Sequence, residues 1–342
     1  MNRICAVISA VVVAVALLLS GSADAQPSVW KQAARRELRP QTQALSKIDR
    51  LLAEEFHLFL ELPTSFRRGL LLARARKMLE NIGAARSKDP AIRFRLGQVY
   101  YKLFTFERDE KLLQMAAQHL AFVGRSNAAR SMRSEALSDL AICYARLGRH
   151  REEVEAYTQA LAIEPHSKDR AVLLANRAEG LMVQGNISGA VRGYRASIKE
   201  TPSERMPFGV VTTMWGLGVA LDRSGDLEGA LEQIRAARTH DSGDELIHSD
   251  NWFYVPAYDD SWYMALGHWQ HARAAENQEM RLEAYRNSIT AWRSYIERAP
   301  ASDHWVALAG LRLKQCEREL ESALQKPPRK KPNAEATDSD AH

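Results

Sequence analysis

The sequence is poor in the residues that mark several protein classes. Cysteine occurs three times in 342 residues, at Cys5, Cys143 and Cys316. No pair of them has metal-ligand spacing, so neither a zinc site nor a disulfide framework is indicated. A Cys143–Cys316 bridge would suit an oxidising compartment, but different units of an extended array hold such sulfurs apart. Glycine is sparse at 18 residues, and period-two alternation of Val, Ile and Thr is hard to find. An all-helical chain is the economical inference. G-x-S-x-G, a phosphate-cradling glycine loop, G-x-G-x-x-G and C-x-x-C are absent, which removes the common signatures of hydrolase, nucleotide and dithiol chemistry. Neither sign of charge dominates: 47 basic and 42 acidic residues leave +5. Mixed charge of this kind describes a solvated helical surface rather than a nucleic-acid face.

The one long apolar run lies at the N-terminus, in MNRICAVISAVVVAVALLLSGSADAQ. Arg3 supplies a positive start, residues 4–19 are broken only by Ser9, and Ala23-Asp24-Ala25 places small residues where a signal peptidase reads. Residues 1–25 are therefore expected to be a secretory signal peptide, cut after Ala25, with export to the periplasm in a Gram-negative source. The competing reading is a retained anchor. The run is shorter than the roughly 18 residues a span needs, and no basic stop-transfer flank follows.

Residues 134–165, SEALSDLAICYARLGRHREEVEAYTQALAIEP, carry two amphipathic helical patterns. Leu137, Leu140, Ala141 and Tyr144 share one helical face. Gly148 breaks the pattern, as a residue tolerant of left-handed backbone does at a helix end. Val154, Tyr157, Ala160 and Leu161 form the second face, and Pro165 closes it. The same offsets recur over 171–202 with Leu174, Ala178, Leu181, Gly185, Ala190, Tyr194 and Pro202, and over 211–242 with Leu217-Gly218, Leu221, Gly225, Ala230 and Ile234. Two looser units flank these. One runs from Asp89-Pro90 through Leu96-Gly97 and Tyr100 to a second helix over 110–123. The other runs from about Asp260 through Leu266-Gly267 and Trp269 to Pro300.

These units resemble the tetratricopeptide repeat, a helix–turn–helix of 34 residues. The resemblance implies an all-α, right-handed solenoid in which each hairpin buries its apolar face against its neighbours. Two departures stand out at residues 134–165. Ala141 replaces Gly, which keeps a small side chain. Glu153 replaces Ala; its stem would lie along the neighbouring helix while the carboxylate reaches water. Residues 26–88 read as an N-terminal helical cap, with Leu70, Leu71, Ala73, Met78 and Leu79 inward in its second helix. The array of about five units covers 89–300, a closing helix capped by Ser302 or Asp303 covers 301–325, and 326–342 is expected to be a disordered charged tail.

The family binds partners in the groove lined by the first helix of each pair. Carried onto this sequence, its groove positions include Phe94, Gln98, Tyr101 and Lys102, then Arg146, then Glu179, then Trp215, Asp222 and Arg223, and finally His268. Rings beside polar groups suit an extended peptide or a partner helix. The paired Lys and Asn with which some relatives grip a C-terminal carboxylate are absent, so C-terminal recognition is not expected. The expected function is an exported protein–protein interaction scaffold or adaptor, with no catalysis, cofactor, metal or nucleic acid. One alternative is a structural component of a cell-envelope complex. Another is a metal- or ligand-binding module over 240–271, where His268 and His271 lie three apart and His240, Asp241, Asp244, His248 and Asp250 share an irregular, aromatic stretch. It lacks the ordered spacing of a calcium loop and the longer H-E-x-x-H signature.

Overall fold

The computed structural model describes residues 29–61, 66–201, 208–241, 243–248 and 254–325. The expected signal peptide, the charged tail and Pro202 lie outside these residues. Thirteen α-helices are present among them: α1 (Val29–Glu61), α2 (Phe66–Asn81), α3 (Pro90–Glu107), α4 (Glu110–Gly124), α5 (Arg130–Arg146), α6 (His150–Ile163), α7 (Arg170–Val183), α8 (Ile187–Glu200), α9 (Phe208–Arg223), α10 (Leu227–Arg238), α11 (Asp260–Ala274), α12 (Gln278–Arg298) and α13 (Val306–Gln325). The described residues divide into two units between Arg50 and Leu51. The second is an all-α, tetratricopeptide-like solenoid. Its antiparallel pairs α3/α4, α5/α6, α7/α8, α9/α10 and α11/α12 stack in chain order, with α2 against α3 and α13 against α12.

Local chemistry explains where these helices start and turn. The Asp89 carboxylate accepts from the Ala91 amide at 2.8 Å, and Pro90 needs no partner for a missing N–H at the first helical position. Asp109, Asn186, Asp226 and Asn277 cap α4, α8, α10 and α12 in the same way. Gly148, Gly185 and Gly225 adopt φ of +69°, +80° and +98° between paired helices. The amide three residues beyond each of these helices then bonds back five residues: Arg149 to Tyr144 at 2.8 Å, Asn186 to Leu181 at 2.9 Å, and Asp226 to Leu221 at 3.0 Å. This satisfies a carbonyl that the helix end would otherwise leave open.

The repeat-defining side chains fill the space between helices. Leu140, Tyr157, Ala160, Ala190, Tyr194, Leu217 and Ala230 are buried, as is Gly218. Tyr144 is half-buried, under the Arg149 guanidinium, and Pro165 follows the end of α6. Within hairpins the small residues admit large ones: a Cβ at Gly97 would lie 2.8 Å from Leu120, and one at Gly218 would lie 2.9 Å from Ile234.

Two expectations are corrected. The inward face of α2 is Arg68, Leu72, Ala75 and Leu79, while Leu70 is 56% exposed. Arg68 turns inward because the fully buried Glu55 accepts from it at 2.6 and 3.0 Å and the Phe59 and Phe106 rings flank it. Placing Arg68 inside shifts the buried stripe to its i+4, i+7 and i+11 neighbours. Glu153, expected to reach water, is 3% exposed. Gly180 opposite it leaves room for the carboxylate, since a Cβ there would lie 2.9 Å from Glu153 Oε1. His150 Nδ1 supplies a polar partner at 2.9 Å.

The described residues of the irregular stretch are tied into the stack. Arg238 pairs with Asp244 and donates to the Gly267 carbonyl at 2.7 Å. Arg223 donates to Asp259 at 2.8 Å, with both side chains almost wholly buried. Trp262 stands edge-on to Trp292 and Tyr295. Asp303 accepts from the Trp305 amide at 2.7 Å and from the hydroxyls of Tyr295 and Tyr258, which fastens the entry to α13. Asp259→Ala should lower unfolding free energy by roughly 3–5 kcal/mol, because it strands a buried guanidinium. Urea denaturation followed by Trp fluorescence checks this, and an unchanged midpoint would contradict a buried pair.

Candidate functional site: a cavity between the first helices

The first helices of successive pairs, α3, α5, α7 and α9, each contribute to one cavity of about 720 Å³. Tyr101 comes from α3, Ile142 and Ala145 from α5, Ala175, Asn176 and Glu179 from α7, and Thr212 and Thr213 from α9. The second helices add Glu153, Tyr157 and Tyr194. Val172, 52% exposed, stands at the mouth. A shallower depression of about 480 Å³ around Pro165 and Arg170 adjoins the rim and shares Lys168 and Glu200. There Arg170 pairs with Glu200 at 2.8 Å.

Periodicity explains the lining. Ala171, Ala175, Asn176 and Glu179 follow i, i+4, i+5, i+8 along α7, which is one helical stripe. Small residues at 171 and 175 keep the floor open, and Glu179 projects beyond them. Tyr157 is almost fully buried, and its hydroxyl lies 3.3 Å from Asn176 Nδ2. Ser197 donates to the Ala171 carbonyl at 2.7 Å and Thr213 to that of Gly209 at 2.6 Å, so these hydroxyls are already used.

Burial controls the electrostatics here. It drives the Glu179 carboxyl well above the carboxylate range, and the charges of Glu153 and Asp259 push the same way. The Glu153 carboxyl is raised by burial against the pull of His150. Burial lifts the Tyr101 phenol to about 12, with Arg146 beside it opposing the rise. Next along the groove, Gln98 of α3 donates to Asp139 at 3.1 Å and to Glu135 at 3.3 Å on α5. Burial pushes the Asp139 carboxyl up to about 7.

The positions expected to line a groove divide into three groups. Tyr101 and Glu179 line the cavity. Gln98, Lys102, Arg146 and His268 are half-buried but mostly engaged. Lys102 neutralises Glu55 at 2.5 Å, and Arg146 lies 5.7 Å over the Phe104 ring. His268 borders a separate shallow depression with Met264 and Asn287. Phe94, Trp215, Asp222 and Arg223 are buried, which corrects the expectation that they face a partner. For Trp215, Asp222 and Arg223 the reason is the C-terminal end of the stack. Arg312 of α13 donates to Asp222 at 2.6 Å, Trp262 donates to it at 3.1 Å, and the Trp305 ring lies 5.3 Å from the Arg223 guanidinium. Elements from α11 onward therefore cover the side of α9 that the repeat offsets place in the groove. Trp215, with no exposed surface, packs over Gly267. Sequence reasoning took Tyr157 and Tyr194 as structural and overlooked their part in the wall. It noticed Glu153 but not its meeting with Gly180.

Among the described residues, no three His, Cys, Asp or Glu side chains converge as metal ligands would. Within 240–271, Asp244 is held by Arg238 and burial lowers the His268 imidazole, while Asp250 lies outside the described residues. No described helix is long and apolar enough to cross a membrane.

The chain matches no family model and no curated relative. Solved structures with a similar fold include the C-terminal part of a TPR repeat-containing protein from Cytophaga hutchinsonii. It is 13% identical, with a TM-score of 0.43, covering 80% of this chain and 99% of the other. MamA is 16% identical with a TM-score of 0.41, over 51% of this chain and 91% of its own. The P58(IPK) TPR domain is 15% identical with a TM-score of 0.33, over 88% and 72%. These likenesses concern the fold alone. The chain's own helix pairs and turn glycines define the solenoid.

The Asp139 carboxyl, near 7 when folded and near 4 when unfolded, holds its proton longer in the folded state. Stability therefore falls as pH rises from about 4 to about 7. Asp139→Asn should match the wild type below pH 4 and exceed it by up to about 4 kcal/mol above pH 7. Urea midpoints across this range check it, and parallel profiles would contradict it.

Proposed function

We propose that the protein is an exported binding scaffold that holds a segment of a partner protein along the first helices of its solenoid, and that it carries out no chemical step. The observation that carries this reading is the 720 Å³ cavity to which four successive first helices contribute. Its volume lies in the range of ligand pockets, and its walls combine rings with a few polar groups. A single helix hairpin could not form it, so the site is a product of stacking. Export rests on the character of residues 1–25, which read as a signal peptide. The partner would then be a periplasmic or envelope protein.

Photo-crosslinking in the native envelope tests the reading. A photo-reactive residue replacing Tyr101 or Val172 faces the cavity, and one replacing Glu152 stands away from it and serves as the control. A discrete protein captured from the first two positions and not from the third is the expected result. Equal capture from all three, or none, would contradict groove binding.

A further inference from the structure

The cavity is unevenly charged. Among its described lining residues Glu153, Asp169, Glu179 and Glu200 are acidic, and Lys168, exposed at the rim, is basic. Glu200 is neutralised by Arg170 and Glu153 is paired with His150. Glu179 has neither an ion pair nor a hydrogen bond among the described residues, and the charges nearest it are negative. Glu179 is half-buried and lines the cavity, so its carboxyl is open to whatever enters.

A second group is in the same condition. Tyr194 is 3% exposed and lines the cavity, yet its hydroxyl has no hydrogen-bond partner among the described residues. Gly216 fixes where that hydroxyl sits, because a Cβ there would lie 2.7 Å from Tyr194 Cζ and 2.9 Å from Oη. One carboxyl and one phenol therefore stand unpartnered around a single space. Both can accept hydrogen bonds, and the Tyr101 and Tyr157 rings stand in the same wall. A positive charge bearing several N–H donors satisfies all of these at once, since it pairs with a carboxylate, donates to a hydroxyl and is attracted to aromatic faces. A metal ion fits poorly, because no three ligating side chains converge among the described residues.

We propose that this cavity receives a lysine or arginine side chain of the partner polypeptide, with the Glu179 carboxylate as its counter-charge and the Tyr194 hydroxyl as a hydrogen-bond acceptor. The inference rests on the groove-binding reading and adds the chemistry of what is bound. A polypeptide is favoured over a free polyamine by the space itself. At about 720 Å³ the cavity exceeds one side chain, and Val172 at its mouth offers apolar surface to flanking residues.

The test uses the full chain, immobilised, and a random dodecapeptide pool. Retained peptides should share a lysine or arginine at one position. Replacing that residue with norleucine or citrulline should weaken binding by at least about tenfold, as loss of a charge-assisted contact does. Glu179→Gln, which keeps shape and removes charge, should weaken it similarly, and Tyr194→Phe less. Melting curves establish that the variants are folded; if Glu179→Gln is not, the norleucine and citrulline peptides decide the matter. Peptides retained without basic bias, or unaffected by the neutral replacements, would overturn the inference and leave groove binding intact. Putrescine binding as tightly as the peptides would overturn the polypeptide source. A pool from which nothing is retained would overturn both readings.

Discussion

Successive hairpins close on one another through glycines that face bulky side chains. At each of the four steps along the array one side of the contact has no Cβ. Gly124 admits Leu137, Gly180 admits Glu153 and Val154, Gly216 admits Tyr194, and Gly267 admits Trp215. A methyl group at any of them would lie under 3 Å from its neighbour, closer than packed atoms approach. A helix hairpin buries only one face by itself, so the array exists because these interfaces form. The spacing between hairpins is thus set by which residues are missing a side chain.

The same device builds the cavity. Gly180 lets a carboxylate sit where an alanine methyl is usual in such repeats, and Gly216 brings a tyrosine ring against the next hairpin. Polar groups thereby enter an interface without forcing the helices apart. Farther along, buried polar groups serve a different purpose. Asp222 is met by Arg312 and Trp262, and Asp259 by Arg223, so the charges there are matched within the chain. The C-terminal end has its charges paired within the chain, whereas the middle leaves Glu179 unpaired among the described residues, and the proposed binding region rests on that contrast.

Much of the fold was legible because its determinants are local. Gly148, Gly185 and Gly225 announce their turns within a few residues, and Asp89-Pro90 announces a helix start. The site was legible only in part. Tyr101 and Glu179 follow from the repeat offsets. Trp215, Asp222 and Arg223 have the same offsets and are buried, because residues far along the chain cover them; Arg312 is 90 positions from Asp222. Nothing near Asp222 in sequence signals that. Glu153 stood out as a departure from the pattern, but its consequence depends on Gly180 in the next hairpin. Arg68 misled the reading of α2 for a related reason, since Glu55 and two phenylalanine rings make a buried guanidinium tolerable.

The most direct test of this account is a double-mutant cycle across one step of the array. Gly216→Ala, Tyr194→Ala and the double variant would be compared by urea denaturation. If the glycine exists to admit the ring, the alanine methyl is harmful only while the ring is present. The cost of Gly216→Ala should then fall by at least about 1 kcal/mol in the Tyr194→Ala background. Additive costs would show that the contact does not set the spacing, and the account of both the stack and its cavity would fail.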